Sequence, residues 1–526
     1  MVKHVLWTRR PPWSDPAVAP GRHHPDREYP DTHPDDPRGL RADAPLLDAW
    51  LRFRDGVTTG AVHPFTIPGH KQRTDLVGAV IAGDVPLYAG LDTMKQADGV
   101  LDRAQRLAAD FWGADWCRFS VGGSTHANQA VALAIGRPGD EVVVARTLHR
   151  SVLLGLVLAG LRPVWVRPGV DPATGLPTCV AVPEVATALE GHPDARAVLL
   201  GDPSYVGTVG DVAGHAAVAH AAGVPLVVDA AWGGHFGLHP DLPPHPLAAG
   251  ADAVVVSAHK ALPCVSQAAL LLARTTRTGG LLDPDRLERA FDATHTTSPG
   301  GAVLASIDAA RALLARDGER LAAGLVTAVA RARERLVAVP GLAVAAGTLP
   351  DGARVDPAKL VVLLAGTGAD GVAVEEDLLA AGFPVEMADR DTLVAMVTIA
   401  DVDPRSGAAP ALDALVGALT ASIERHRGRP RAAVPAAAWA VRPEQVVDPR
   451  EAFFAAHETV PAGEAVGRVA AELVAPYPPG VPVLAPGERV TAQALAALLE
   501  ARAAGSRIAY AADPTLATLQ VLATGA

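Results

Sequence analysis

Apolar residues recur at helical spacing in PLLDAWLRFRD (residues 45–55) and in VLDRAQRLAADFW (100–112), and that spacing predicts a helix over each. From about residue 120 the rhythm changes. A glycine-serine loop and an apolar helix (124–136) precede the strand EVVVA, and the helix SVLLGLVLAG leads to the strand RPVWV. A strand in ARAVLLGDP, the helix VAGHAAVAHAAG and the strands VPLVVDA, DAVVVSAH and QAALLLA follow. These strand runs are rich in Val and Leu and do not alternate polar with apolar. That is the pattern of strands covered by helices on both faces. It predicts an α/β layered domain with a mainly parallel sheet.

Beyond it the organisation differs. The strand KLVVLLA, the helix AVEEDLLAAG and the hairpin-like PVEMADRDTLVAMVTIA predict a small α+β domain. RHRGRPRAAVPAAA (425–438) reads as a linker, and YPPGVPVLAPGE with a helix over 491–504 as part of a third, small lobe. The expected division is a tail at 1–43, a large domain at 44–334, the small domain at 335–430, and linker plus C-terminal lobe at 431–526. The tail is crowded with Pro, Asp, His and Arg, which cannot bury enough apolar surface to offset its ordering entropy, so disorder is expected there. Its histidines read as a solvated cluster, and no metal site is expected.

Composition narrows the class. The chain has 526 residues, 49% hydrophobic and 20% charged, with 46 basic against 57 acidic residues and a net charge of −11. No basic stripe is present, which argues against nucleic acid and anionic membrane as partners. No apolar run approaches a membrane span, and MVKHVLWTRRPPWSDP lacks the apolar centre of a secretory signal. Three scattered cysteines form no CxxC pair, which fits a reducing cytoplasm.

Two strand exits carry the candidate chemistry. VVDAAWGGH ends one strand at Asp229, and VVVSAHK ends the next with Ser257, His259 and Lys260. The 31 residues from Asp229 to Lys260 leave room for one helix and one strand, so the exits are neighbours. Ligands collect outside the carboxyl ends of open parallel sheets. Upstream, SVGGSTHANQAVALAIG places Gly122, Gly123, Ser124 and Thr125 at a helix N-terminus, where free N–H groups and the dipole favour a phosphate. One ligand needs an amine, an acid and a phosphate cradle together: pyridoxal phosphate. Lys260 reads as the amine that holds its aldehyde, Asp229 as the partner of its pyridine nitrogen, and Ser124, Thr125, Ser257 and His259 as phosphate donors. Singly each signal is weak, since an Asp at a strand end is commonly a turn residue. The ordered set is specific.

At these motifs the chain resembles the ornithine/lysine/arginine decarboxylase family. The resemblance runs from PLLDAWL and HPFTIPGHK through YAGLDTM, DEVVVARTLHRSV, GDPSYVGTVGDV and SAHKALPCVSQAALL to EAVGRVAAELVAPYPPGVPVLAPGE, about residues 44 to 526. It implies a fold-type I pyridoxal-phosphate scaffold and decarboxylation of arginine, lysine or ornithine. It further implies that His149 stacks on the pyridine ring and that Ala231 and Trp232 lie beside it. Thr296, Thr297 and Ser298 would approach the cofactor of a neighbouring subunit, which implies a homodimer or larger assembly. Lys260 or His149 is the expected proton donor to Cα.

The same residues would serve an aminotransferase, a lyase, or a paralogue that binds cofactor without turnover. The C-terminal lobe favours the decarboxylase. Departures from the family pattern fall at Ala230, where a carboxylate is common, at Gly300 and Gly301, and at GGST. Glu386, Asp389 and Glu488 are candidates to receive a basic substrate side chain, while His235 and His239 are expected to be structural. Gly366, Gly368 and Gly371 match the dinucleotide spacing GxGxxG, but they sit where no succession of parallel strands is expected and read as turn residues, with Asp370 as a helix cap.

Overall fold

The computed structural model describes residues 33–63, 74–79, 82–85, 99–349, 352–432, 441–477, 481–503 and 506–524. The tail to residue 32, most of HPFTIPGHK, all of YAGLDTM and the Pro-Pro-Gly of YPPG lie outside them. Seven strands form the central sheet: β1 (Trp116–Ser120), β2 (Glu141–Ala145), β3 (Arg162–Val166), β4 (Val198–Gly201), β5 (Leu226–Asp229), β6 (Ala253–Val256) and β7 (Ala269–Ala273). Their order is β1-β7-β6-β5-β4-β2-β3. β7 runs antiparallel to β1 and β6, and every other neighbouring pair is parallel. Every residue of β5, β6 and β7 is buried, the environment that their unbroken apolar runs require.

The sheet matches the α/β reading, with one strand unforeseen. β1 is a five-residue edge strand with Arg118 at its centre. So short a run with a central charge gives no strand signal of its own.

Helices α1 (Pro45–Thr58), α2 (Val100–Trp112), α3 (Gly123–Ile135) and α4 (Arg150–Ala159) lie within one residue of the expected spans, except that α1 runs three residues past its expected end. α3 and α4 pack side by side. Gly155 permits this, because a Cβ there would stand 2.9 Å from that of Ala132 and 3.3 Å from the Gln129 Cα. This close approach sets the geometry of the site described below.

Helix α5 (Gly301–Val337), 37 residues long, leads from the large sheet to a smaller one. That sheet comprises β8 (Ala343–Val344), β9 (Leu360–Leu363), β10 (Met387–Ala388) and β11 (Thr392–Ala395), antiparallel in the order β8-β9-β11-β10. The expected hairpin is the β10-β11 pair. Arg354–Val355 pairs with Thr208–Val209, stitching this region to the loop after β4. The GxGxxG glycines are packing positions, since an added methyl would strike the backbone of Gly341, Gly428 or Asp389. Asp370 caps the following helix by accepting from the Val372 N–H at 2.9 Å.

Residues from Val441 to Val521 bury a core of their own that includes Val474, Leu484, Leu498 and Val521. Arg146, just past β2, fastens this lobe to the large sheet. Its guanidinium donates to both carboxylate oxygens of Glu488, at 2.5 and 2.8 Å, and to the carbonyls of Pro482 and Val483. The same guanidinium lies 4.7 Å from the Trp165 ring. Both charges are almost wholly buried. Arg146→Met, which leaves the Glu488 carboxylate buried without its cation, is expected to destabilise the protein by about 3–5 kcal/mol. A lower urea midpoint would register this, and the double variant with Glu488→Leu should recover part of the loss. Among the described residues no helix is long and apolar enough to cross a membrane.

Candidate active site

β5 and β6 are parallel neighbours, with Asp229 paired in register with Val255, so their exits open together. After β6, Ser257 stands at the start of a single helical turn, Ala258–Ala261, that carries His259 and Lys260. The Lys260 Nζ lies 3.9 Å from the centre of the Trp232 ring. Burial pushes its amine below the ordinary lysine range, while Asp229 and Glu386 pull it back up.

Asp229 is buried and accepts from two neutral donors, the Asn128 amide at 2.9 Å and the Ala231 N–H at 3.2 Å. Asn128 also donates to the Ser151 hydroxyl at 3.0 Å. His149 is the N-cap of α4, its Nδ1 lying 3.2 Å from the Ser151 N–H and 2.9 Å from the Ser151 hydroxyl. A backbone N–H can only donate, so Nδ1 accepts and the neutral ring carries its hydrogen on Nε2. Burial lowers the basicity of this imidazole, Asp229 opposes that, and Lys260 and Arg150 reinforce it. Capping and a place at the site are therefore compatible roles for His149. Asn128, absent from the sequence reading, links the two. Its signal was one of two adjacent amides, Asn128 and Gln129, on an Ala-rich helix that opens from the glycine-serine loop.

The glycine-serine loop and the β6 exit meet directly: the Ser257 hydroxyl donates to that of Ser124 at 2.7 Å, and Thr125 beside it is exposed. The His259 Nδ1 donates to the Ala268 carbonyl at 2.9 Å, so its Nε2 donates to a phosphate only as the imidazolium. Ala231 is buried, and Trp232 packs edge-on to Tyr205 with ring centres 5.2 Å apart. A second amine stands on the same indole. The Lys359 Nζ is 4.1 Å from the Trp232 ring centre.

The model of the Orn/Lys/Arg decarboxylase major domain matches residues 61–345, and that of the Orn/Lys/Arg decarboxylase C-terminal domain matches residues 432–507. The chain belongs to the Orn/Lys/Arg decarboxylase family. It is 31% identical over 484 residues to an arginine decarboxylase of Halalkalibacterium halodurans, covering 89% of this chain and 96% of the relative. An arginine decarboxylase of Bacillus subtilis is 31% identical over 473 residues, covering 87% and 94%. Among solved structures, the lysine decarboxylase LdcF of Francisella novicida superposes with a TM-score of 0.76 at 18% identity, over 91% of this chain and 81% of that one. The fold is that of the family, as the motifs implied.

Within this decarboxylase the three candidate acids separate. Glu386 is exposed, accepts from the Tyr205 hydroxyl at 3.3 Å, and acts electrostatically on both Lys260 and Lys359. Asp389 is turned into its own hairpin, accepting from the Asp391 and Thr392 N–H groups. Glu488 is taken by Arg146, so it offers no free carboxylate to a substrate. His235 pairs with buried Asp356 at 2.9 Å, and the His239 ring accepts from the Asp241 N–H, both structural contacts. Thr296, Thr297 and Ser298 are exposed. Of the family departures, Ala230 is wholly buried in the apolar core. Gly301 presses its backbone against Val85, where a Cβ would stand 2.7 Å away.

Proposed function

We propose that this decarboxylase acts on a basic amino acid with pyridoxal phosphate as cofactor, and that arginine is its first candidate substrate. The observation that carries the reading is the convergence of Lys260, Asp229 and His149 beside the Ser124–Ser257 contact. The donor set fits the cofactor. Asp229 is a buried carboxylate whose described partners are both neutral, and such a charge calls for a cationic ligand, which a protonated pyridine nitrogen provides. Lys260, half-buried and without an ion-pair partner among the described residues, is available to hold the aldehyde. Ser124, Thr125 and Ser257, with His259 beside them, would take the phosphate at the mouth of α3. His149 would cover the ring, and Ala231 would lie at its edge.

When bound, the cofactor supplies an electron sink for the pair left on Cα as carbon dioxide departs. The protein's task is to set the substrate carboxylate perpendicular to that sink and then to return a proton to Cα. We assign the return of that proton to the Lys260 Nζ; His149, whose Nδ1 accepts from the Ser151 N–H, offers the Nε2–H of a neutral ring, a hydrogen-bond donor rather than an acid. The carboxylate leaves as carbon dioxide, Cα gains one proton, and the product is the amine. Glu386, with Tyr205, is the acid we assign to the cationic end of the substrate. Thr296, Thr297 and Ser298 are assigned to the cofactor site of a second copy in a homodimer, and a cytoplasmic setting fits three cysteines that form no disulfide.

The reading is tested by incubating the cofactor-loaded protein separately with arginine, lysine and ornithine. Equal amounts of carbon dioxide and agmatine from arginine are expected. A keto acid in place of the amine, or no carbon dioxide from any of the three, overturns the reading.

A further inference from the structure

Lys359 is buried, at 4% of its free exposure, yet no carboxylate among the described residues lies within ion-pair distance of it. Its single polar side-chain contact there is the Met396 Sδ, at 3.1 Å. The fold goes to some length to deliver this amine. Gly207, in the left-handed region at φ 78°, makes room for the stem, since a Cβ there would stand 2.7 Å from the Lys359 Cγ. Arg333 fixes the backbone by donating to the carbonyls of Asp356 and Lys359, at 2.9 and 2.5 Å. The result places its Nζ on the Trp232 ring that Lys260 also meets.

A methionine would fill this hole without any desolvation penalty. The carboxylates that act on this amine, Asp356 and Glu386, do so from beyond ion-pair distance, and Asp356 is already paired with His235, so the amine is open to an anion that arrives from outside. The cofactor phosphate is already assigned to the Ser124–Ser257 end. Besides the cofactor's own ring oxygen, which the absorbance readout below distinguishes, the anion the reaction brings is the α-carboxylate of the amino acid. We infer that Lys359 binds the substrate α-carboxylate and holds it beside Trp232 for departure. Burial pushes the amine down to about 8, which leaves it mostly protonated at neutral pH.

This inference rests on the proposed decarboxylase reading, and wild-type turnover of arginine tests that reading separately. The test compares ligands with and without the carboxylate in the cofactor-loaded protein. Lys359→Met is expected to raise the KM for arginine about ten-fold or more. The Ki of agmatine and the calorimetric Kd of argininamide, which lack the carboxylate charge, should stay within about two-fold. Lys359→Gln repeats the comparison should the methionine variant fold poorly, and Lys359→Arg should restore part of the arginine affinity. An unchanged KM for arginine in a folded variant overturns the inference. So does an equal weakening of all three ligands, or an altered cofactor absorbance with unchanged KM, which would assign Lys359 to the cofactor instead.

Discussion

Lys260→Ala is expected to lose turnover by about four orders of magnitude or more while keeping the fold. The side chain leaves a one-turn helix, Ala258–Ala261, in which alanine is at least as favourable a residue. Its amine makes no ion pair among the described residues and is held below its ordinary range by burial, so removing it unpairs no charge. Stability should therefore stay near that of the parent or rise slightly. Activity should collapse, because no other amine lies on the single turn after β6. Lys359, on the same indole, is delivered from the small sheet and does not replace it. Carbon dioxide release and the visible absorbance of the loaded protein check this together, and both should vanish.

Asp229→Asn should lower kcat by about 10²–10³-fold, the cost of removing one preorganised electrostatic group. The carboxylate accepts on one oxygen from Asn128 and on the other from the Ala231 N–H. An amide can accept on one side only, so whichever way it turns, its NH2 faces a donor. The disturbance should then pass through Asn128 and Ser151 to the capping geometry of His149. Cofactor binding should weaken without disappearing, since Lys260 and the residues proposed to hold the phosphate are untouched. A steady-state comparison, with the cofactor absorbance as the second readout, separates this outcome from simple misfolding, in which both signals would be lost.

The strand exits were legible because an all-apolar run that stops at Asp229 or Ser257 marks both the strand and its end. The glycine-serine loop was legible for a similar reason: small polar residues open an apolar helix. What the sequence hid depends on distant pairing. Glu488 read as a free acid, and its cation, Arg146, stands 342 residues away in another part of the chain. Lys359 read as the ordinary first residue of a strand. Its place at the site depends on Arg354–Val355 pairing with Thr208–Val209, which folds the small sheet against the loop after β4. Asn128 was hidden by its helix, since no local pattern tells which face of α3 meets Asp229. His149 read as a ring-stacking residue, and its place as the N-cap of α4 shows only in the folded chain.

The central claim is that the amine leaving β6 is the cofactor's point of attachment. Borohydride reduction of the pyridoxal-phosphate-loaded protein, followed by peptide mass spectrometry, tests it most directly. The account predicts a single phosphopyridoxyl label, on the peptide that carries Lys260. A label on Lys359, or none on either lysine, would contradict it.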